Sequence, residues 1–112
     1  MRISLNGEEY NCDTKADEAV ATMNRNGHKY YPAILYGDFV WVAPIDIPRK
    51  MAVAILKQNS SSVGVFSVTG NLARDLCESL GGAIGPQSHG APPKYLYHYH
   101  GRNYSHAHSW YI

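Results

Sequence analysis

Histidine is the side chain whose ordinary pKa lies nearest neutrality, and five of the six histidines here, His89, His98, His100, His106 and His108, fall between positions 89 and 108. Two alternating runs carry four of them. In Tyr95-Leu96-Tyr97-His98-Tyr99-His100 the two-residue period of a strand puts the tyrosines on one face and Leu96, His98 and His100 on the other. In His106-Ala107-His108-Ser109-Trp110 it puts His106, His108 and Trp110 together. If His100 pairs with His106 and His98 with His108, the register that a loop over Gly101 to Ser105 gives, four imidazoles line one patch; a slip of one residue separates them.

Charge around these runs is lopsided. The formal net charge is +1, yet all nine acidic residues lie at or before Glu78, and beyond it the charged or titratable partners are Lys94, Arg102 and the histidines. That end presents a positive field, which suits a polyanion or a phosphate ester.

Paired imidazoles without carboxylates can do metal-free acid and base chemistry on a phosphodiester. One neutral ring takes the proton of a ribose 2'-OH, a protonated ring gives one to the leaving 5'-oxygen, and a cation steadies the phosphorane. His98, His100 and His108 supply acid and base, His89 reaches in from its loop, and Arg102 or Lys94 holds the phosphate. Tyr97, Tyr99, Tyr104 and Tyr111 offer rings for stacking on bases. The substrate is then RNA rather than DNA, because the nucleophile is the 2'-OH, and no cofactor is needed.

Two other uses of the same residues stay open. His98, His100, His106 and His108 could hold zinc, although metal-bound histidines usually lean on a carboxylate or carbonyl and this end has no carboxylate. The hairpin could also bind RNA or a protein without turning anything over. No G-x-S-x-G elbow or phosphate-cradling G-x-x-x-x-G-K occurs, and the two cysteines, Cys12 and Cys77, read as buried small hydrophobes.

These residues need a scaffold, and 112 residues with 45% hydrophobic content give one domain, with 1–68 as a scaffold half and 69–112 as a helix plus the histidine-rich hairpin. Asn6-Gly7 marks an opening hairpin over 2–5 and 8–12. Asp13 or Thr14 caps a helix whose apolar positions are Ala16, Ala19, Val20 and Met23, stopped by Gly27. Tyr30 to Tyr36 and Phe39 to Ala43 form a second hairpin around Gly37-Asp38. A helix over about 47–58 and a strand from Val63 to Val68 follow.

Thr69 or Gly70 then starts an amphipathic helix with Leu72, Ala73, Leu76, Cys77 and Leu80 on one face, ended by Gly81-Gly82. Gly85 to Pro93 reads as an exposed loop, leading to strands at Lys94 to His100 and His106 to Tyr111. The expected class is α+β, an antiparallel sheet with about three helices. No run has the roughly 18 apolar residues of a membrane helix.

The blocks Gly85-Pro86-Gln87-Ser88-His89, Tyr97-His98-Tyr99-His100, Arg102 and His108-Ser109-Trp110-Tyr111 resemble the closing pattern of C-terminal toxin domains in bacterial polymorphic toxins of contact-dependent and RHS type. Many such domains are similar to the barnase, EndoU, colicin and RelE group of ribonucleases. The resemblance covers about 45 residues and implies that His89, His98, His100 and His108 match family positions while His106 does not. It further implies a cognate immunity protein, and a larger secreted or surface-delivered parent acting in the target-cell cytoplasm.

Overall fold

Asn6 and Gly7 both take positive φ, 53° and 83°, as a two-residue hairpin turn requires, and join β1 (Arg2–Leu5) to β2 (Glu8–Asn11) in a small sheet of their own. The computed structural model describes residues 1–88 and 96–112. Ile3, Leu5 and Tyr10 of this hairpin point into the main core.

The chain then enters the main sheet through β3 (Thr14–Lys15), a strand that sequence periodicity does not reveal. Thr14 pairs with Val42 and Lys15 with Trp41, so neither expected capping residue caps α1 (Ala16–Asn26). Lys15 occupies the cap position with no side-chain bond, and Asp13 instead takes the N-terminal ammonium at 3.0 Å. The far end of α1 follows expectation: Gly27 adopts φ 67° and its N–H donates to the Met23 carbonyl.

β4 (Tyr30–Tyr36) and β5 (Phe39–Val42) form the second hairpin, α2 (Arg49–Leu56) begins directly after Pro48, and β6 (Val63–Ser67) returns beside β4. Thr69 caps α3 (Gly70–Glu78) by accepting from the Leu72 N–H at 3.2 Å. Three further strands, β7 (Ala83–Gln87), β8 (Tyr97–Gly101) and β9 (His108–Tyr111), complete the sheet.

Among the described residues the main sheet has seven strands in the order β3-β5-β4-β6-β9-β8-β7, with three helices packed on it, an α+β architecture as expected. All pairs are antiparallel except β6 with β9, where Gly64, Val65 and Phe66 face His108, Ser109 and Trp110 in parallel. α2 and α3 cover one face over a core that includes Ile55, Leu56, Val65, Leu76 and Leu80. α1 covers the other face at the β3 and β5 end, over Met23, Tyr31, Val42, Phe66 and Trp110.

Two further expectations are corrected. The stretch from Gly85, expected as an exposed loop, contributes its first residues to β7, where Ala83 pairs with Gly101, Ile84 with His100 and Gln87 with His98. Pro86 sits in this strand because β7 is at the edge of the sheet, and the ladder is irregular between Ile84 and Gln87. The β8 and β9 register also differs: Tyr97 pairs with Tyr111, His98 with Trp110 and Tyr99 with Ser109, two residues away from the expected pairing. A slip of two keeps every side chain on its face, so the histidines still share one side.

Candidate active site

Backbone contacts far apart in sequence shape the turn between β8 and β9. The Arg102 N–H donates to the Gly82 carbonyl at 3.0 Å and the Asn103 N–H to the Leu80 carbonyl at 2.8 Å, which ties the turn to the end of α3. Tyr104 takes a left-handed φ of 59°, and the Ala107 N–H closes back onto its carbonyl at 3.2 Å. On the other side the His106 N–H donates to Asn59 Oδ1 at 2.9 Å. These anchors consume His106 as a turn residue and delay the start of β9 to His108.

The consequence is a triangle of three imidazoles. Ring centroids lie 4.9 Å apart for His98 and His100, 4.8 Å for His98 and His108, and 4.7 Å for His100 and His108. One ring nitrogen from each lies within 4.8 Å of the others, and among the described residues no carboxylate or thiol joins the group. His98 is buried, 2% exposed, while His100 and His108 are half-buried at the patch surface.

Two contacts aim the outer rings. His100 Nδ1 lies 2.9 Å from the Ala107 carbonyl oxygen. A carbonyl only accepts, so Nδ1 carries the proton and Nε2 is the nitrogen that exchanges protons with anything in the patch. His108 stacks on the buried Trp110 ring at 5.1 Å and 6° interplanar angle, which restricts its rotation. Beneath it Gly64 allows β6 and β9 to meet: a Cβ there would run into the His108 carbonyl and come within 2.8 Å of the Trp110 ring.

The tyrosines lie on the opposite face of the sheet. Tyr111 stacks with Tyr97 and with Tyr99, both at 5.7 Å between centroids, and its ring covers the start of α3 at Gly70. Burial pushes the Tyr111 phenol up from its ordinary range, with Tyr99 beside it adding to the rise. A base stacked on this ladder is separated from the imidazoles by the sheet itself. Tyr104 projects from the turn, 39% exposed.

Arg102 is exposed and its side chain runs along the Gly81-Gly82 backbone; among the described residues no carboxylate pairs with it. His89 and Lys94, expected at the site, lie outside the described residues, as does Tyr95. His28, at the end of α1, pairs its Nδ1 with the Tyr31 hydroxyl at 2.8 Å and has no place in the cluster.

Cys77 is buried behind β9, where Ser109 Oγ donates to the Ala73 carbonyl at 2.8 Å. Burial pushes the Cys77 thiol up to about 11, against a weaker pull from Ser109, and Cys12 likewise up to about 11. Neither supplies a thiolate at neutral pH.

Sequence reasoning passed over the Ala107 carbonyl, Asn59 and Gly64. Only Gly64 left a trace, as a glycine inside an apolar strand, which commonly marks a close backbone approach. The chain matches no protein-family model, no curated protein and no solved structure.

Proposed function

We propose that this domain is a metal-independent endoribonuclease of the toxin type, acting through His100 and His108. The observation that carries this reading is the pair of half-buried rings, 4.7 Å apart, one of them with its Nδ1 proton tied to a backbone carbonyl and no carboxylate in the group.

In the proposed reaction His100 Nε2 removes the proton of a ribose 2'-OH, and the 2'-oxygen attacks the adjacent phosphorus. The bond from phosphorus to the 5'-oxygen breaks, and protonated His108 gives that oxygen its proton. The products are a 2',3'-cyclic phosphate and a 5'-hydroxyl end. His98, packed against both rings from the buried side, positions them. Arg102, exposed on the carboxylate-poor end of the chain, meets the phosphate charge.

The toxin part of the reading rests on the resemblance of the His98, His100 and His108 blocks to polymorphic-toxin domains. It brings with it a cognate immunity protein that covers the site and delivery as part of a larger chain.

The deciding experiment is incubation of the purified domain with transfer and ribosomal RNA in EDTA, with end-group analysis of the products. Fragments ending in cyclic phosphate support the proposal. Intact RNA under all conditions would leave a binding module instead, and cleavage that needs added zinc would make the histidines ligands of a metal hydrolase.

A further inference from the structure

The three imidazoles that form the proposed active site also satisfy the requirements of a transition-metal site. We infer that His98, His100 and His108 bind a zinc ion, and that zinc bound there switches the ribonuclease off; the second half rests on the proposed function, the first does not.

Three observations favour binding. The nitrogens on offer lie within 4.8 Å of one another, while three ligands on a tetrahedral zinc with bonds of about 2.0–2.1 Å stand roughly 3.4 Å apart. The difference is about 1.4 Å at most, within reach of small shifts shared among the three side chains. The donors are all imidazole, which suits zinc, copper and nickel and disfavours magnesium and calcium. Finally, the Ala107 carbonyl holds His100 Nδ1 as metal-bound histidines are commonly held, which keeps the lone pair on Nε2 available for a metal.

His98 gives the site its depth. It sits 2% exposed beneath the other two, so a metal bridging all three is partly sheltered and keeps one open position toward solvent. His106, with its N–H fixed to Asn59 and its side chain exposed, stands outside the set, which corrects its expected place among the ligands.

Occupancy and catalysis exclude each other on elementary grounds. A lone pair engaged by the metal cannot accept the 2'-OH proton, and a metal-bound nitrogen has no proton to give the leaving oxygen. A ribonuclease stored with zinc in place would leave RNA intact until a chelating environment removed the ion.

The test has a binding arm and an activity arm, both on the full chain. In the first, zinc is titrated into the chelated wild-type protein and into His100→Ala, His108→Ala and His106→Ala, reading heat and the thermal midpoint. Wild type and His106→Ala should bind one zinc and rise in midpoint, and the other two, each missing a direct ligand, should bind more weakly by at least the roughly 10- to 100-fold that loss of a supporting contact alone costs. Equal affinity in all four proteins, or no binding by wild type, overturns the site, and circular dichroism of each variant shows that loss of binding is not loss of fold. In the second arm, cleavage by protein stripped of metal with EDTA and then freed of the chelator should stop on addition of one zinc per chain and return with excess chelator. Cleavage that continues with zinc bound, or that requires it, overturns the switch. RNA left intact with and without zinc sinks the proposed function and with it the switch, while the binding arm still decides the site.

Discussion

The Nδ1 of His100 and the backbone carbonyl of Ala107 meet at 2.9 Å across the turn that joins the last two strands. This one contact orients a ring, fixes which nitrogen bears the proton and couples β8 to the residue just before β9. It links a local feature, the shape of a turn, to the chemistry available in the patch.

The first expectation concerns the two outer rings. His100→Ala and His108→Ala should each lower RNA cleavage by about 10²- to 10⁴-fold, the usual contribution of a positioned acid or base, with unchanged far-ultraviolet circular dichroism. His106→Ala should cut at the wild-type rate. Single-turnover cleavage of a defined RNA reads all three, and wild-type activity in His108→Ala would remove it as the acid.

Acid and base roles for two imidazoles give the rate a bell-shaped pH dependence. The rate falls on the acid side as the base becomes protonated and on the alkaline side as the acid loses its proton. Cleavage measured from pH 5 to 8 would be flat if the rings merely bound substrate.

Gly64→Ala places a methyl group against the His108 carbonyl and the Trp110 ring. Because the obstacle is partly backbone, β9 must shift, and overpacking of this kind costs about 1–3 kcal/mol. Urea unfolding should show the loss, and cleavage should fall further than the stability change explains, since His108 moves with the strand. An unchanged midpoint would mean that β6 and β9 do not approach as closely as described.

Ser109→Ala removes the buried hydroxyl that donates to the Ala73 carbonyl and ties β9 to α3. The expected destabilisation is about 0.5–1.5 kcal/mol, because the hydroxyl leaves with its own desolvation requirement and the carbonyl remains in a helix. The pH profile of cleavage should keep its shape, as Ser109 lies on the other face of the sheet from the histidines.

The legible part of the fold was the part set by local chemistry. Asn6-Gly7, Gly37-Asp38, Gly27 and the stripe of Leu72, Ala73, Leu76 and Cys77 act within a few residues, and the elements they mark are present. What escaped was decided by distant partners. Thr14 and Lys15 are a strand only because β5 is there to pair with them, and Gly85-Pro86 reads as a turn until β8 supplies an edge. The register of the histidine strands was misjudged because Asn59, Leu80 and Gly82 hold the turn and lengthen it. The histidine patch survived that error since the slip is even. The tyrosines' separation from it was legible in the alternation of Tyr97-His98-Tyr99-His100.

Alkaline conditions provide a separate check on the core. Burial raises the Cys12 and Cys77 thiols from an ordinary 9.0 to about 11 in the folded protein, so both states are largely protonated up to about pH 8. Between about 9 and 11 the unfolded chain loses protons that the folded chain keeps, and stability must fall. Urea midpoints should be level on this account up to about pH 8 and drop above it, with a shallower drop in Cys77→Ala. Native protein at pH 8 should leave a thiol reagent unreacted that denatured protein consumes.

β9 lies between β6 and β8 rather than at an edge, and it brings in His108 after the helix α3 and two other strands have intervened. Inserting it closes the longest loop in the sheet, a step that chain entropy makes late. During refolding, recovery of cleavage should therefore lag behind recovery of the helical signal, and simultaneous recovery would contradict that order. A molecule folded only that far carries hairpins and helices while His108 still stands apart from His98 and His100, so the imidazole triangle is a property of the completed sheet alone.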